Sequence, residues 1–392
     1  MGLMGTKDGL SNTVGTGAGN PLGSNNTDTV QSLLENIDTY EFMWHPGDIA
    51  YADYWLKEEI QNYIPGYEYM NQTHLFEKGI NVYESMLEQF FDEITPVTAI
   101  RPYMVGPGNH DADCDNGGTS DKVHNISYTD MPCFPGQTNF TGYQHHWRMP
   151  SKQSNGLGNF WYSWDYGLVH FVSMDTETDL GTNYTGPVEN GGVEDFHGIR
   201  SFGYPNQQLE FLRKDLASVD RTKTPWVIVS GHRPFYGEDM IGSSVCGVCR
   251  DALESILDEY SVDLLLAGHV HNYERMMPMS HNGTIDKRGL DNPTAKWVIM
   301  NGAAGHYDGL DPLNPQYGGS YIVKAFDTAY GWSRLTVHNA THLTHEFVAS
   351  RNNTVLDTAT LYKEHNFRKG AKHNNGQNNK NQHQGKSHGH GN

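Results

Sequence analysis

The chain has 392 residues, enough for a large buried core, and carries 46 acidic against 27 basic side chains, a net charge of -19. That balance disfavours non-specific binding to nucleic acid or to an anionic membrane, so an anionic substrate would need a local cationic site. No apolar run is long enough to span a bilayer.

Residues 1–29 are rich in Gly, Ser, Asn and Thr and read as an irregular segment. They lack the basic flank and apolar stretch of a secretory signal. Short apolar runs of strand length follow at Phe42 to Trp44, Pro102 to Val105, Trp226 to Val229, Val262 to Ala267 and Trp297 to Met300. Between them lie patterns of helical period. The first covers Lys78 to Thr95, with Ile80, Tyr83, Leu87, Phe90 and Ile94 on one face. A second carries Leu209, Leu212, Leu216 and Val219, and a third Leu253, Ile256, Leu257 and Tyr260. This alternation predicts an α/β protein with a mainly parallel, helix-covered sheet. Two aromatic and β-branched runs at 159–174 hinge at Asp165-Tyr166-Gly167 as a hairpin, and the text from Tyr321 to Ala349 is again β-rich, so the sheets are mixed. Beyond Asn366 the chain is Asn, His, Lys, Gly and Gln and reads as a disordered tail over 366–392, leaving 30–350 as the folded domain.

Sequons at Asn25, Asn71, Asn125, Asn139, Asn183, Asn282, Asn339 and Asn352 are denser than chance supplies and predict a secreted glycoprotein. Cys114, Cys133, Cys246 and Cys249 lack the second close pair of a zinc ribbon, and two local disulfides fit them better.

Each of four strands is followed by a Gly-containing loop that carries Asp, Asn or His: HPGDIAY from His45, GPGNHD from Gly106, SGHRP from Ser230 and GHVHNYER from Gly268. Any one alone is an ordinary turn. Together, at the carboxyl ends of strands, they mark the edge where open α/β sheets bind ligands. Asp48 can bridge two cations, Asn109 offers a neutral oxygen, and His232, His269 and His271 offer imidazole nitrogens. Mixed N and O donors suit Zn, Fe or Mn, and a tyrosinate at Tyr51 favours a ferric ion. Asp53 reads as a helix-starting carboxylate.

As a set, GDxxY at Gly47, GNHD at Gly108, VxxH at Val229 and GHxH at Gly268 resemble the purple acid phosphatases of the calcineurin-like metallophosphoesterases, fungal secreted members above all. The resemblance runs from residue 1 to about 350 and implies a four-layer αββα sandwich of two mixed sheets. It also implies hydrolysis of phosphate monoesters at acidic pH by a dinuclear metal-bound hydroxide, Fe(III) beside Zn, Fe or Mn, with phenolate-to-iron charge transfer as the source of colour. Carried over by position, Asp48 bridges, Tyr51 and His271 bind the ferric ion, and Asn109, His232 and His269 bind the divalent ion. His110 contacts phosphate and protonates the leaving group. Small phosphate esters are the implied partners.

Two departures stand out. The family's earlier DxG motif would place its Asp immediately before Met1-Gly2, so the resemblance implies a chain that starts late. Plant-type members carry a His pair where this chain has Ile241-Gly242, which leaves Arg233 and Tyr236 as the candidate substrate contacts. A metallophosphodiesterase or nucleotidase of the same fold, and a catalytically silent glycoprotein, are the alternative readings.

Overall fold

A computed structural model describes residues 29–52, 83–112 apart from 85, 86 and 89, 140–178, 206–237, 245–305, 310–314 and 319–365, with the backbone of 120–121 and 126–127. The N-terminal segment before Thr29, the tail from 366, Cys114, Cys133, Asp53, Ile241-Gly242 and the sequons at Asn25, Asn71, Asn125, Asn139 and Asn183 lie outside the described residues, as does the side chain of Asn282.

In chain order the strands are β1 (Met43–Pro46), β2 (Tyr103–Gly106), β3 (Ser120–Asp121), β4 (Ile126–Ser127), β5 (Tyr162–Tyr166), β6 (Val169–Ser173), β7 (Trp226–Ser230) and β8 (Leu264–Ala267). They continue with β9 (Tyr273–Met276), β10 (Met279–Ser280), β11 (Thr284–Ile285), β12 (Trp297–Asn301), β13 (Ile322–Phe326), β14 (Gly331–Val337), β15 (His342–Ala349) and β16 (Val355–Tyr362). The main sheet runs β13-β9-β12-β8-β7-β6-β5. Its centre, β6 to β8 and β12, is parallel, and its flanks are antiparallel.

Strand period separates two cores. Trp226, Ile228, Leu264, Trp297 and Ile299 face Leu343, Phe347 and Leu361 of the three-stranded β14-β15-β16 sheet. The alternate residues Val227, Val229, Leu265, Val298 and Met300 pack with Leu212 and Leu216 of helix Gln207–Ser218 and with Leu253 and Ile256 of helix Gly247–Glu259. Trp226 and Trp297 are fully buried, and Trp297→Ala would cost about 3–5 kcal/mol. Outside the second sheet, Trp332 and Val348 join Val30 and Leu33 of helix Thr29–Glu35. Helix, sheet, sheet and helix thus form the four layers.

β1 and β2 form a separate parallel pair. Between β1 and β14 lies an apolar cavity of about 570 Å³, lined by Phe42, Trp44, Phe171, Ile228 and Leu335 among others. Among the described residues β1 pairs only with β2, and β14 only with β15.

Three boundaries differ from expectation. The helix expected to end at Thr95 continues through 98. Pro96 sits in its last turn, and the buried Val97 anchors that turn in the core. The hairpin turns one residue later than Asp165-Tyr166-Gly167, on Gly167-Leu168, because Tyr166 still pairs with Val169 and Gly167 supplies the positive φ, +57°, of a two-residue loop. The limit at 350 falls within the β15–β16 connection, and the sheet runs on to Tyr362. Cys246 and Cys249 form the expected local disulfide.

Candidate metal centre

The loops after β1, β2, β7 and β8 meet at one point. Asp48 is its hub and is buried. Its Oδ2 lies 2.9 Å from His232 Nε2 and accepts from the Tyr51 hydroxyl at 3.1 Å, while its Oδ1 accepts from the His110 amide at 2.9 Å. One donor atom each from Asp48, His232 and His269 lies within 4.8 Å of the others.

The backbone is strained to bring this about. Asp48, Tyr51 and His269 all adopt positive φ, 54°, 48° and 67°, conformations that cost non-glycine residues free energy and concentrate at functional sites. Glycines make the close approach feasible. A Cβ on Gly47 would lie 2.7 Å from both Gly108 N and His232 Nδ1, and one on Gly108 would run into the Asp48 carboxylate. Asp111 then ties the first two loops together, accepting from the amides of Asp48 at 2.7 Å, Ile49 at 3.1 Å and Gly108 at 2.9 Å. Burial and the Asp48 charge push its pKa up to about 7.

Proton placement shows what the cluster can hold. His232 Nδ1 faces the Pro46 carbonyl at 3.0 Å, and a carbonyl only accepts. The proton therefore sits on Nδ1, and burial lowers the His232 pKa, which keeps the ring neutral. Its Nε2 lone pair points at Asn109 Oδ1, 3.0 Å away, and at Asp48 Oδ2, 2.9 Å away. Asn109 Oδ1, Asp48 Oδ2 and His269 Nδ1, the last 3.0 Å away, thus converge on this one nitrogen. A cation is what this arrangement fits, since ligands about 2.1 Å from an ion at right angles lie about 3 Å apart.

On the other side of Asp48, the Tyr51 hydroxyl lies 2.9 Å from His271 Nε2, and burial lowers the His271 pKa to about 4. The imidazoles of His232 and His271 are thus kept neutral, as ligation requires.

All six expected ligands are brought together: Asp48 shares an oxygen between Tyr51 and His232, with Asn109 and His269 beside His232 and with His271 beside Tyr51. The His110 ring, partly buried, packs against Tyr51 with centroids 4.7 Å apart. Arg233 reaches the cluster, with Nη1 3.2 Å from His269 Nε2, but it is buried and its Nε donates to both oxygens of Glu177, at 3.0 and 2.9 Å. Tyr236 is turned elsewhere, donating to Glu254 and accepting from the Gly283 amide. The sequence reading gave no role to Asp111, Glu177 or Asp311. Asp111 stood inside a motif already singled out, whereas Glu177 and Asp311 carry no local signal.

The calcineurin-like phosphoesterase family model matches residues 22–273, which contain every residue of this cluster. The chain belongs to the calcineurin-like phosphoesterases. The model for iron/zinc purple acid phosphatase-like protein C matches residues 295–358. The chain is 36% identical to acid phosphatase A of Cryphonectria parasitica over 87% of its length, covering 66% of that protein. It is 35% identical to an acid phosphatase of Aspergillus ficuum over 82% of its length, covering 64%. It thus spans slightly less than two thirds of either relative. The solved purple acid phosphatase from yellow lupin seeds has the same fold, with a TM-score of 0.62 at 24% identity over 86% of this chain and 48% of that one.

Proposed function

We propose that this phosphoesterase is an acid phosphatase that hydrolyses phosphate monoesters at a dinuclear metal centre. The observation that carries the reading is the position of Asp48, whose Oδ2 is shared between Tyr51 on one side and His232 on the other. Tyr51 and His271 would hold Fe(III), with Asn109, His232 and His269 holding a divalent Zn, Fe or Mn ion and Asp48 bridging. When bound, the two ions would supply positive charge to the phosphate oxygens and lower the pKa of water enough to make it a nucleophile in acid.

The chain's own residues do the rest. The Tyr51 phenol fixes the preference for a ferric ion, the buried hub excludes bulk water, and Asp111 pins the loops that carry Asp48 and Asn109. His110, packed on Tyr51, would contact the phosphate and protonate the leaving group. Arg233 would add positive charge beside His269, moderated by Glu177. Tyr236, buried and engaged with Glu254 and the Gly283 amide, has no part in substrate binding in this reading.

The catalytic unit runs from residue 30 through β16. Secretion and glycosylation belong to the same reading. Asn339 and Asn352 lie on exposed turns at the ends of β14 and β15, and among the described residues no helix is long and apolar enough to cross a membrane. Small phosphate esters are the partners, without nucleic acid or membrane.

The test is metal analysis, a visible spectrum and turnover of a phosphate monoester against a bis-ester at acidic pH. The expected result is two ions per chain, one of them iron, a phenolate-to-iron band and faster monoester turnover. Faster bis-ester turnover would favour a diesterase, the activity in the name of a barley relative, nucleotide pyrophosphatase/phosphodiesterase, 27% identical over 86% of this chain. An iron-free, inert protein would sink both.

A further inference from the structure

Asp311 lies in a loop between β12 and β13, far in sequence from the strands that carry the ligands, yet it is laced to the His271 loop in both directions. The His271 amide donates to Asp311 Oδ2 at 2.8 Å, and the Asp311 amide donates to the His271 carbonyl at 3.0 Å. A weaker bond from Asn272 Nδ2 to the Asp311 carbonyl, 3.5 Å, runs alongside. The same Oδ2 lies 3.6 Å from His271 Nδ1, a distance for charge attraction rather than a hydrogen bond. The opposite nitrogen, Nε2, faces the Tyr51 hydroxyl.

The two nitrogens of His271 are therefore in unlike surroundings. A carboxylate beside Nδ1 favours the tautomer with its proton there, and leaves the Nε2 lone pair directed at Tyr51. A carboxylate behind an imidazole also raises the ring's basicity as a ligand and fixes its orientation.

We propose that Asp311 is the positioning residue of the ferric site, holding the His271 loop by its amide and the His271 ring by its charge. The inference rests on the assignment of Tyr51 and His271 to iron. Asp311 touches neither substrate nor reacting atoms and acts through His271 alone. Its side chain is about half exposed, 51%, so it contributes little to the core, and removing its charge leaves the fold standing.

The test compares wild type with Asp311→Asn, which keeps an acceptor for the His271 amide and loses the charge, and with Asp311→Ser, which shortens it as well. Iron affinity is read by competition with a ferric chelator, and the phenolate-to-iron band by visible absorption. The expected outcome is iron held about 10–100-fold more weakly in Asp311→Asn, with a shifted band and an unchanged melting temperature, and a larger loss in Asp311→Ser. Equal iron affinity and an identical band in all three proteins would overturn the proposal. A wild-type protein without iron or band would instead overturn the assignment beneath it. If Asp311→Ser melts early, Asp311→Asn alone decides.

Discussion

Strands β7 and β8 end in two buried polar clusters, one at each tip, and the two obey opposite rules. At the amino-terminal tip, Asp263 is fully matched. It accepts from Arg221 Nη1 at 2.6 Å and from the Val227 amide at 2.8 Å, and it pairs with Lys363 Nζ at 2.7 Å and His365 Nε2 at 3.3 Å. At the carboxyl tip, His232 and His269 enter a cluster where nitrogen and oxygen ligand atoms converge, on a backbone with positive φ at Asp48, Tyr51 and His269. Matched charges stabilise the fold at one end. At the other end, the backbone is strained so that ligand atoms from four loops converge.

The sharpest way to break this contrast is Asp48→Asn. It removes the shared oxygen charge, and monoester turnover is expected to fall by more than about 100-fold, beyond the loss typical of groups that only support a ligand. Metal content by elemental analysis should drop below two ions per chain with little change in melting temperature. Unchanged metal content would show that the converging ligand atoms are not a metal site.

Asp263→Asn should do the reverse. It leaves Arg221 and Lys363 without their countercharge and is expected to cost about 3–5 kcal/mol in denaturant unfolding, with metal content intact. The wild-type dependence on pH has a definite sign. Burial alone would raise the Asp263 pKa, but Lys363, Arg221 and His365 hold it well below the ordinary range. Its contribution is therefore present above the unfolded value, near 4, and lost only as pH falls through the depressed folded value.

A smaller and oppositely signed effect belongs to His170, whose Nδ1 lies 2.6 Å from Asp165 and Nε2 2.9 Å from Asp215. Burial would lower its pKa, but the bonds and charges of Asp215 and Asp165 outweigh burial and raise it. The pair then stabilises below the unfolded value, near 6.5, and fades as pH rises through the raised folded value. His170→Asn should lose about 1–2 kcal/mol at pH 5 and progressively less at alkaline pH. A constant loss across that range would refute the sign. Both charged sites thus favour a fold that stays intact in acid.

Much of this contrast was legible in the chain itself. The five apolar runs became β1, β2, β7, β8 and β12, and in β7 and β12, buried along their whole length, burial on both faces requires continuous apolar text. The ligand candidates were legible because each stands in a Gly-containing loop just past a strand. Asp311, Glu177 and the Asp263 cluster were not, because their partners are distant in sequence and nothing local marks a carboxylate as paired. Arg233 looked like an open substrate contact and proved to be buried against Glu177, a pairing that joins the loop after β6 to the loop after β7. The partner of Tyr236 was hidden for the same reason: its hydroxyl chemistry is common to any tyrosine, and only the packing of helix Gly247–Glu259 directs it to Glu254.

By itself, then, the sequence determined which residue types stand past which strands, because side-chain chemistry and strand period are local properties. Tertiary structure alone decided which lone pairs meet. The Pro46 carbonyl sets the His232 tautomer, Asp311 sits behind His271, and sheet packing opens a cavity between β1 and β14. Those outcomes depend on distances between segments that the chain brings together only on folding.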